Sequence, residues 1–158
     1  MTRFVINGLD PAPFESLFGL ADAALAARGI ERMTVTENPG FPCRVTLEDV
    51  AVGDTVLLLN HEHLPVDTPY RQRHAIFVKE GAAQAARYVD AVPDQLAIRT
   101  LSVRAYDAAG NMTDADLVEG HDLPALIDRL FASPETAYLH AHNAKRGCFA
   151  ARIDRGGD

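Results

Sequence analysis

The segment 138–153 near the C-terminus carries the densest group of reactive side chains in the sequence. It contains His140, His142 and Cys148, which are residue types that transfer protons, ligate metals or act as nucleophiles. The segment has the pattern of a β-hairpin with a loop at 143–147. Because successive side chains of a strand point to opposite faces, this pattern predicts one apolar face and a second face that bears both histidines and the cysteine.

In the predicted register His142 lies opposite Cys148, and Phe149 lies on the apolar face. Cross-strand neighbours on one face are about 5 Å apart at Cβ, so the imidazole and the thiol could touch. In a catalytic interpretation Cys148 is a nucleophilic thiolate that His142 stabilises as an imidazolium. Lys145 and Arg146 of the loop add positive potential. A solvated sheet face, a binding cleft, a metal site and a partner interface are the alternatives.

A second group of polar residues precedes a predicted central strand at 74–78. Arg71, Arg73 and His74 lie at its start. Arginine forks recognise carboxylate and phosphate groups through paired hydrogen bonds, so we expect an anionic small molecule to bind where this segment meets the hairpin. The predicted catalytic residues are Cys148, His142 and His74, and the predicted ligand-binding residues are Arg71, Arg73, Asn143, Arg146 and Arg44. Ordinary ion pairs with the 22 acidic residues are the alternative.

The histidines also allow a metal site. His61 and His63 form one i, i+2 pair, and His140 and His142 form another. In an extended segment both rings of such a pair point the same way, and two facing pairs could bind zinc. The sequence has no Cys-x-x-Cys and no His-x-x-x-His spacing. No cofactor is therefore predicted, and zinc at these four histidines is kept as the alternative.

Composition argues against several classes of protein. The formal charge is −7 and there is no basic run, so nucleic-acid binding through phosphate neutralisation is not expected. No apolar stretch approaches the roughly 18 residues of a membrane span, and the N-terminus lacks the apolar region of a signal peptide. We expect a cytoplasmic protein in which Cys43 and Cys148 are reduced thiols. A disulfide between them is the alternative.

A chain of 158 residues predicts one domain, 1–158, with a frayed polar tail at 154–158. Predicted strands outnumber predicted helices and are joined mostly by short turns. We therefore expect the α+β class, with a largely antiparallel or mixed sheet and two or three helices. The clearest helix follows Asp122, because its apolar residues recur at i, i+3, i+4, i+7 and i+8. A further helix is predicted at 80–88, and an irregular crossing at 61–71.

Four sequence segments form a combination that is more specific than any one of them. They are Gly40-Phe-Pro-Cys-Arg44, Leu57-Leu-Leu-Asn60 with the following His63, Asp67-Thr-Pro-Tyr-Arg71 with His74-Ala-Ile-Phe-Val78, and His140-Ala-His-Asn143 with Gly147-Cys148. With this combination the chain resembles the small bacterial family called domain of unknown function 1203. The resemblance covers almost the whole chain and implies a stand-alone bacterial protein, but it brings no activity, substrate or catalytic residue.

The leading hypothesis is a cytoplasmic protein with a pocket for a small anionic molecule, acting as an enzyme or as a binder. The alternative is a non-catalytic interaction or structural module, most simply a homodimer. No Gly-rich phosphate loop and no Gly-x-Ser-x-Gly elbow is present. The sequence therefore indicates a site but does not define a reaction.

Overall fold

The computed structural model describes residues 1–157, and within them nine strands form two antiparallel sheets. The strands are β1 (Phe4–Asn7), β2 (Glu31–Thr34), β3 (Thr55–Leu64), β4 (Gln72–Lys79), β5 (Arg87–Val89), β6 (Thr100–Tyr106), β7 (Met112–Glu119), β8 (Tyr138–Asn143) and β9 (Phe149–Arg155). The helices are α1 (Ala12–Glu15), α2 (Asp22–Ala26), α3 (Asp94–Ala97) and α4 (Leu123–Phe131). The predicted α+β class is confirmed, with more strand than helix. None of the helices in this part of the chain has the length and apolarity needed to cross a membrane.

The larger sheet has six strands in the order β5-β1-β9-β8-β6-β7, and α4 packs against its core. All five apolar positions predicted for this helix are buried: Leu123, Leu126, Ile127, Leu130 and Phe131. Burial of one such side chain contributes about 1.5–3 kcal/mol. The amphipathic spacing that predicted the helix is therefore also what attaches it to the sheet.

The smaller sheet has the order β2-β3-β4 and its own apolar core. Val56 and Leu57 of β3 and Ile76 of β4 pack there with Phe14 of α1 and Leu25 of α2. The two sheets approach each other where β4 contacts β9. Each sheet thus has a separate apolar cluster, and the junction between them is available for polar side chains.

Two predictions of local structure before β6 are wrong. The irregular crossing predicted for 61–71 begins later, because β3 continues to Leu64 with a bulge between His61 and Leu64. The helix predicted for 80–88 is absent: the chain turns at Gly81, where φ is 89°, and then enters β5. An alanine-rich segment has little apolar surface to bury, and short helices depend on such burial.

The predicted frayed tail is also wrong in part. Strand β9 continues to Arg155, and Asp154 pairs with Tyr138 of β8 and with Val5 of β1. The N–H of Gly156 then donates to the carbonyl of Arg3. The last position of the predicted tail, 158, lies outside the described residues.

The β8–β9 hairpin has a different register from the predicted one. His140 pairs with Arg152 and His142 pairs with Phe149, with an irregularity between these two pairs. Ala150 and the residue after it both lie in the core of the larger sheet, as expected where a bulge adds one residue to a strand. Phe149 consequently lies on the histidine face and not on the apolar face. The predicted pairing of His142 with Cys148 is wrong for the same reason.

Candidate functional site

A histidine cluster fills the junction between the two sheets. It consists of His63 of β3, His74 of β4, and His140 and His142 of β8. The ring centroid of His63 lies 5.1 Å from that of His74, 5.7 Å from that of His140 and 5.1 Å from that of His142. His140 is 2% exposed and His142 is 0% exposed. This face of the hairpin is therefore covered, and the alternative of a solvated sheet face does not describe it.

His74 joins the two segments that the sequence indicated. Its Nδ1 accepts a hydrogen bond from the backbone N–H of Phe149, 3.2 Å away, and its ring lies 5.3 Å from that of His142. The start of β4 and the C-terminal hairpin therefore meet at this residue.

The four histidines of the zinc alternative do not come together as one set of metal ligands. The ring of His61 makes an edge contact with Phe14, at a centroid distance of 5.8 Å. Because β3 bulges after His61, the two rings of the predicted pair do not share one site. Instead, ring nitrogens of His63, His74 and His142 all lie within 4.8 Å of one another.

Two polar side chains that the sequence analysis did not select connect the cluster. Nη1 of Arg104 on β6 donates to Oε1 of Gln72 at 3.1 Å and lies 3.5 Å from Nε2 of His142. Nε2 of His63 lies 3.2 Å from the same Gln72 oxygen. Nδ1 of His142 donates to the carbonyl oxygen of Gly147 at 2.9 Å. These bonds orient two of the four rings.

Burial keeps the cluster uncharged at neutral pH. Desolvation lowers the pKa of His63 from 6.5 to about 4, that of His140 to about 2 and that of His142 to about 3. The pKa of His74 is lowered as well, chiefly by burial and then by the nearby Arg104. The imidazolium form of His142 that the catalytic interpretation requires is thus a minor species near pH 7.

Cys148 has other partners than the predicted one. Its Sγ accepts hydrogen bonds from Nη2 of Arg44 at 3.1 Å and from Nδ2 of Asn143 at 3.7 Å. The guanidinium therefore places a positive charge beside the sulfur, as in the electropositive surroundings that are common for reactive cysteines. Cys43 is 0% exposed, and both cysteines are free thiols, so the alternative of a disulfide between them is wrong for this structure.

Arg44 is the most deeply buried cation near the site, at 2% exposed. Its Nε and Nη1 donate to the backbone carbonyls of Phe149 and Pro42. Desolvation lowers the pKa of this guanidinium, because a buried charge loses its hydration. All three nitrogens are used, and the sulfur of Cys148 is the one side-chain partner among the described residues.

A cleft of about 660 Å³ opens beside the histidine cluster. Small-molecule sites commonly have volumes of about 300–1,000 Å³. Leu58 and Phe77 supply apolar wall, and Arg99, which also lines the cleft, forms a two-bond ion pair with Asp49 at 2.7 and 2.9 Å. Six residues considered at the sequence level line it: Arg44, His74, Asn143, Lys145, Arg146 and Cys148.

Two of the predicted ligand-binding residues lie elsewhere. Arg71 donates to both carboxylate oxygens of Glu62 at 3.0 and 3.1 Å, and Arg73 donates to Asn60 at 2.6 Å. Their side chains are 55% and 57% exposed, and neither lines the cleft. Ordinary polar contacts at the surface, the alternative considered from the sequence, describe both residues.

The residues that were missed had no local motif. Gln72, Arg99 and Arg104 each lie on or beside a predicted strand, where a polar side chain is as common on a solvated face as in a site. Arg104 reaches the histidine cluster through the approach of β6 to β8, in which Arg104 pairs with His140. That approach depends on the order of strands in the sheet and cannot be read from spacing along the chain.

Most of the chain is similar to a known protein family. No curated protein and no solved structure matches the chain significantly. Residues 40–155 match the family described as "Protein of unknown function (DUF1203)". This range includes the four clustered histidines, Arg44 and Cys148, and it confirms the resemblance stated from the sequence segments. The chain therefore belongs to the DUF1203 family.

Proposed function

We propose that this protein binds a small anionic molecule, one with a carboxylate or phosphate group, in the cleft between the two sheets. The volume of the cleft, about 660 Å³, suits a metabolite-sized ligand. Its apolar wall would hold the body of such a ligand, and its cations would hold the acidic group.

The observation that carries this proposal is that Arg44 is buried without an ion-pair partner among the described residues. A buried ion costs several kcal/mol unless an opposite charge and hydrogen bonds compensate. Within residues 1–157 no carboxylate forms an ion pair with Arg44. An anion in the cleft would supply the missing charge, either directly or beside the sulfur of Cys148.

The distribution of charge supports the same conclusion. The chain carries −7 overall, yet four cations and one carboxylate line the cleft. Lys145 and Arg146 are exposed and form no ion pair among the described residues. A locally positive cleft in an acidic protein attracts anions, whereas much of the remaining surface repels them.

A second candidate function is nucleophilic catalysis by Cys148 on the bound molecule. The contact with Arg44 at 3.1 Å favours it, because a sulfur at the wall of a cleft with a cation beside it is the arrangement that nucleophilic cysteines require. In this version Asn143 would orient the sulfur, and the neutral His74 would accept or return a proton.

Anion binding is tested by thermal shift and calorimetry with inorganic phosphate and with succinate. We expect at least one probe to raise the melting temperature of the wild type. The double variant Lys145→Ala/Arg146→Ala should lose most of that shift, because two unpaired cations of the cleft are removed. The matched control is Arg73→Ala, which removes an exposed arginine outside the cleft and should keep the shift.

Two results would contradict the proposal. One is the absence of a shift with either probe in the wild type at low salt. The other is a shift of equal size in the double variant and the wild type, which would place the anion elsewhere. Catalysis by Cys148 is tested separately: a Cys148→Ser variant should bind the probe as the wild type does, whereas turnover of a reactive ester should disappear.

A further inference from the structure

The histidine cluster contains two nitrogen lone pairs that are free of strong hydrogen bonds. The carbonyl of Gly147 can only accept, so Nδ1 of His142 carries the proton and Nε2 carries a lone pair. Arg104 and His63 both face Oε1 of Gln72. Since arginine can only donate, that atom is the oxygen, Nε2 of His63 donates to it, and the lone pair of His63 is on Nδ1.

Nδ1 of His63 is buried and has no hydrogen-bond partner among the described residues. The residue is 9% exposed. Buried polar atoms without a partner are rare in folded proteins and call for an explanation. A neutral imidazole with a free nitrogen is also the form that ligates metal ions. His63 and His142 thus offer two donor nitrogens of the correct tautomer, on strands from different sheets.

We propose that His63, His74 and His142 bind one divalent transition-metal ion, His63 through Nδ1 and His142 through Nε2. Imidazole ligands without a carboxylate suit zinc, cobalt, nickel and copper. With zinc–nitrogen bonds of about 2.0–2.1 Å in a tetrahedron, the nitrogens are roughly 3.4 Å apart. One ring nitrogen from each of the three residues lies within 4.8 Å of the others, so a pair at that limit must approach by about 1.4 Å as the rings rotate onto the ion. When the ion binds, His74 gives up the hydrogen bond that it accepts from the N–H of Phe149 and coordinates the ion instead.

Some groups around the three histidines would strengthen the binding of the ion, and one would weaken it. The Gly147 carbonyl and the Gln72 amide bond the ring nitrogens that face away from it, which is how metal-bound histidines are usually held. The guanidinium of Arg104 lies 3.5 Å from Nε2 of His142 and opposes a cation there. Arg104 must therefore turn aside when the ion binds, and its charge lowers the affinity.

The site goes beyond the proposed anion cleft, with which it shares His74. Three histidines leave one position of a tetrahedral ion open, as in zinc enzymes that activate a water molecule. An ion beside this cleft could therefore polarise a bound molecule or a water.

The test uses the full chain, stripped with EDTA, titrated with Zn²⁺ by calorimetry and with Co²⁺ by visible absorption. We expect one ion per chain and the ligand-field bands of Co²⁺ in a nitrogen-rich tetrahedral site. The variants His63→Gln and His142→Gln should each weaken binding at least tenfold. The matched control is His61→Gln, two residues from His63 on the same strand, and it should bind as the wild type does. Arg104→Gln should bind more tightly, a gain that an unfolded variant cannot imitate.

Three outcomes would overturn the proposal: no binding of either ion by the folded wild type, equal loss in His61→Gln and His63→Gln, or weaker binding by Arg104→Gln. A fourth is cobalt absorption of sulfur type that disappears in Cys148→Ser, which would place the ion at the thiol. Because neither phosphate nor succinate is added, these results do not depend on whether the cleft binds those anions.

Discussion

Replacing His140 by Phe should make the metal-free protein more resistant to mild acid. His140 is 2% exposed, and its ring contacts Tyr106, Tyr138 and Phe149 at centroid distances of 5.0–5.3 Å. Its Nδ1 has no partner among the described residues. An aromatic ring without ionisable nitrogens suits these neighbours, so the variant should fold.

The magnitude follows from the pKa difference between the two states. Burial lowers the pKa of His140 from 6.5 to about 2 in the folded chain. The unfolded chain therefore binds a proton as the pH falls through 6.5, while the folded chain stays unprotonated. The free energy of unfolding is therefore not reduced by His140 above pH 6.5, and it falls progressively as the pH drops below that value. At pH 5 the loss is about 2 kcal/mol, from about 1.5 pH units at 1.36 kcal/mol each.

Other groups titrate in ways that can be separated from this effect. His63 and His142 have pKa values lowered to about 4 and about 3, so each adds a similar loss at pH 5. The three together approach 6 kcal/mol, within the range of about 5–15 kcal/mol that a domain has in total. Glu80, with a pKa lowered from 4.5 to about 2, stabilises the fold above pH 4.5 and loses that contribution only on further acidification.

The assay is urea unfolding followed by far-ultraviolet circular dichroism, at about pH 7.5 and about pH 5 in EDTA, because the chain has no tryptophan to report by fluorescence. Between the two pH values, His140→Phe should lose about 2 kcal/mol less unfolding free energy than the wild type. The control His121→Ala removes a histidine that is 71% exposed and should follow the wild type. Equal losses in His140→Phe and the wild type would refute the reasoning, as would a wild type equally stable at both pH values.

Three further predictions concern stability and reactivity. Glu80→Gln should cost about 1–3 kcal/mol in urea unfolding at neutral pH, because two bonds of 2.9 Å from Arg32 lose their charged acceptor; no loss would contradict this. Gly110→Ala should lower stability by more than about 1 kcal/mol, since φ is 91° there and an added Cβ would lie 2.4 Å from Cγ1 of Val66; an unchanged melting temperature would contradict it. Iodoacetamide should first modify a single thiol, Cys148, because it is partly exposed and the other cysteine is fully buried; peptide mass spectrometry showing equal modification of both would contradict it.

The elements predicted correctly are those that a local pattern specifies. The stripe of α4 buries the predicted residues, and the β6–β7 hairpin turns at Gly110, where a positive φ is needed. The errors occur where local pattern and tertiary context disagree. Residues 80–88 contain four alanines and favour a helix by composition, yet they have no apolar face that another element could cover.

The site was predicted by residue type more successfully than by geometry. His74 and His142 do lie near one another, and His74 lines the same cleft as Arg44, Asn143, Arg146 and Cys148. A bulge of one residue is invisible to simple alternation, and it alone moves Phe149 to the histidine face and removes Cys148 from the position opposite His142.

The sequence by itself determined the class of fold, the main helix, most strand positions and the family, because spacing, turn residues and short motifs act over a few positions. Only the tertiary structure decided that the second face of the hairpin is buried, that its histidines are neutral and that Arg44 bonds Cys148. These properties depend on contacts between distant parts of the chain: Arg44 and Cys148 are 104 positions apart, and His74 and Phe149 are 75 apart. Burial and hydrogen bonding determine the charge of these groups and which nitrogen carries a lone pair. The spacing of residues along the chain does not show which sheet will cover them.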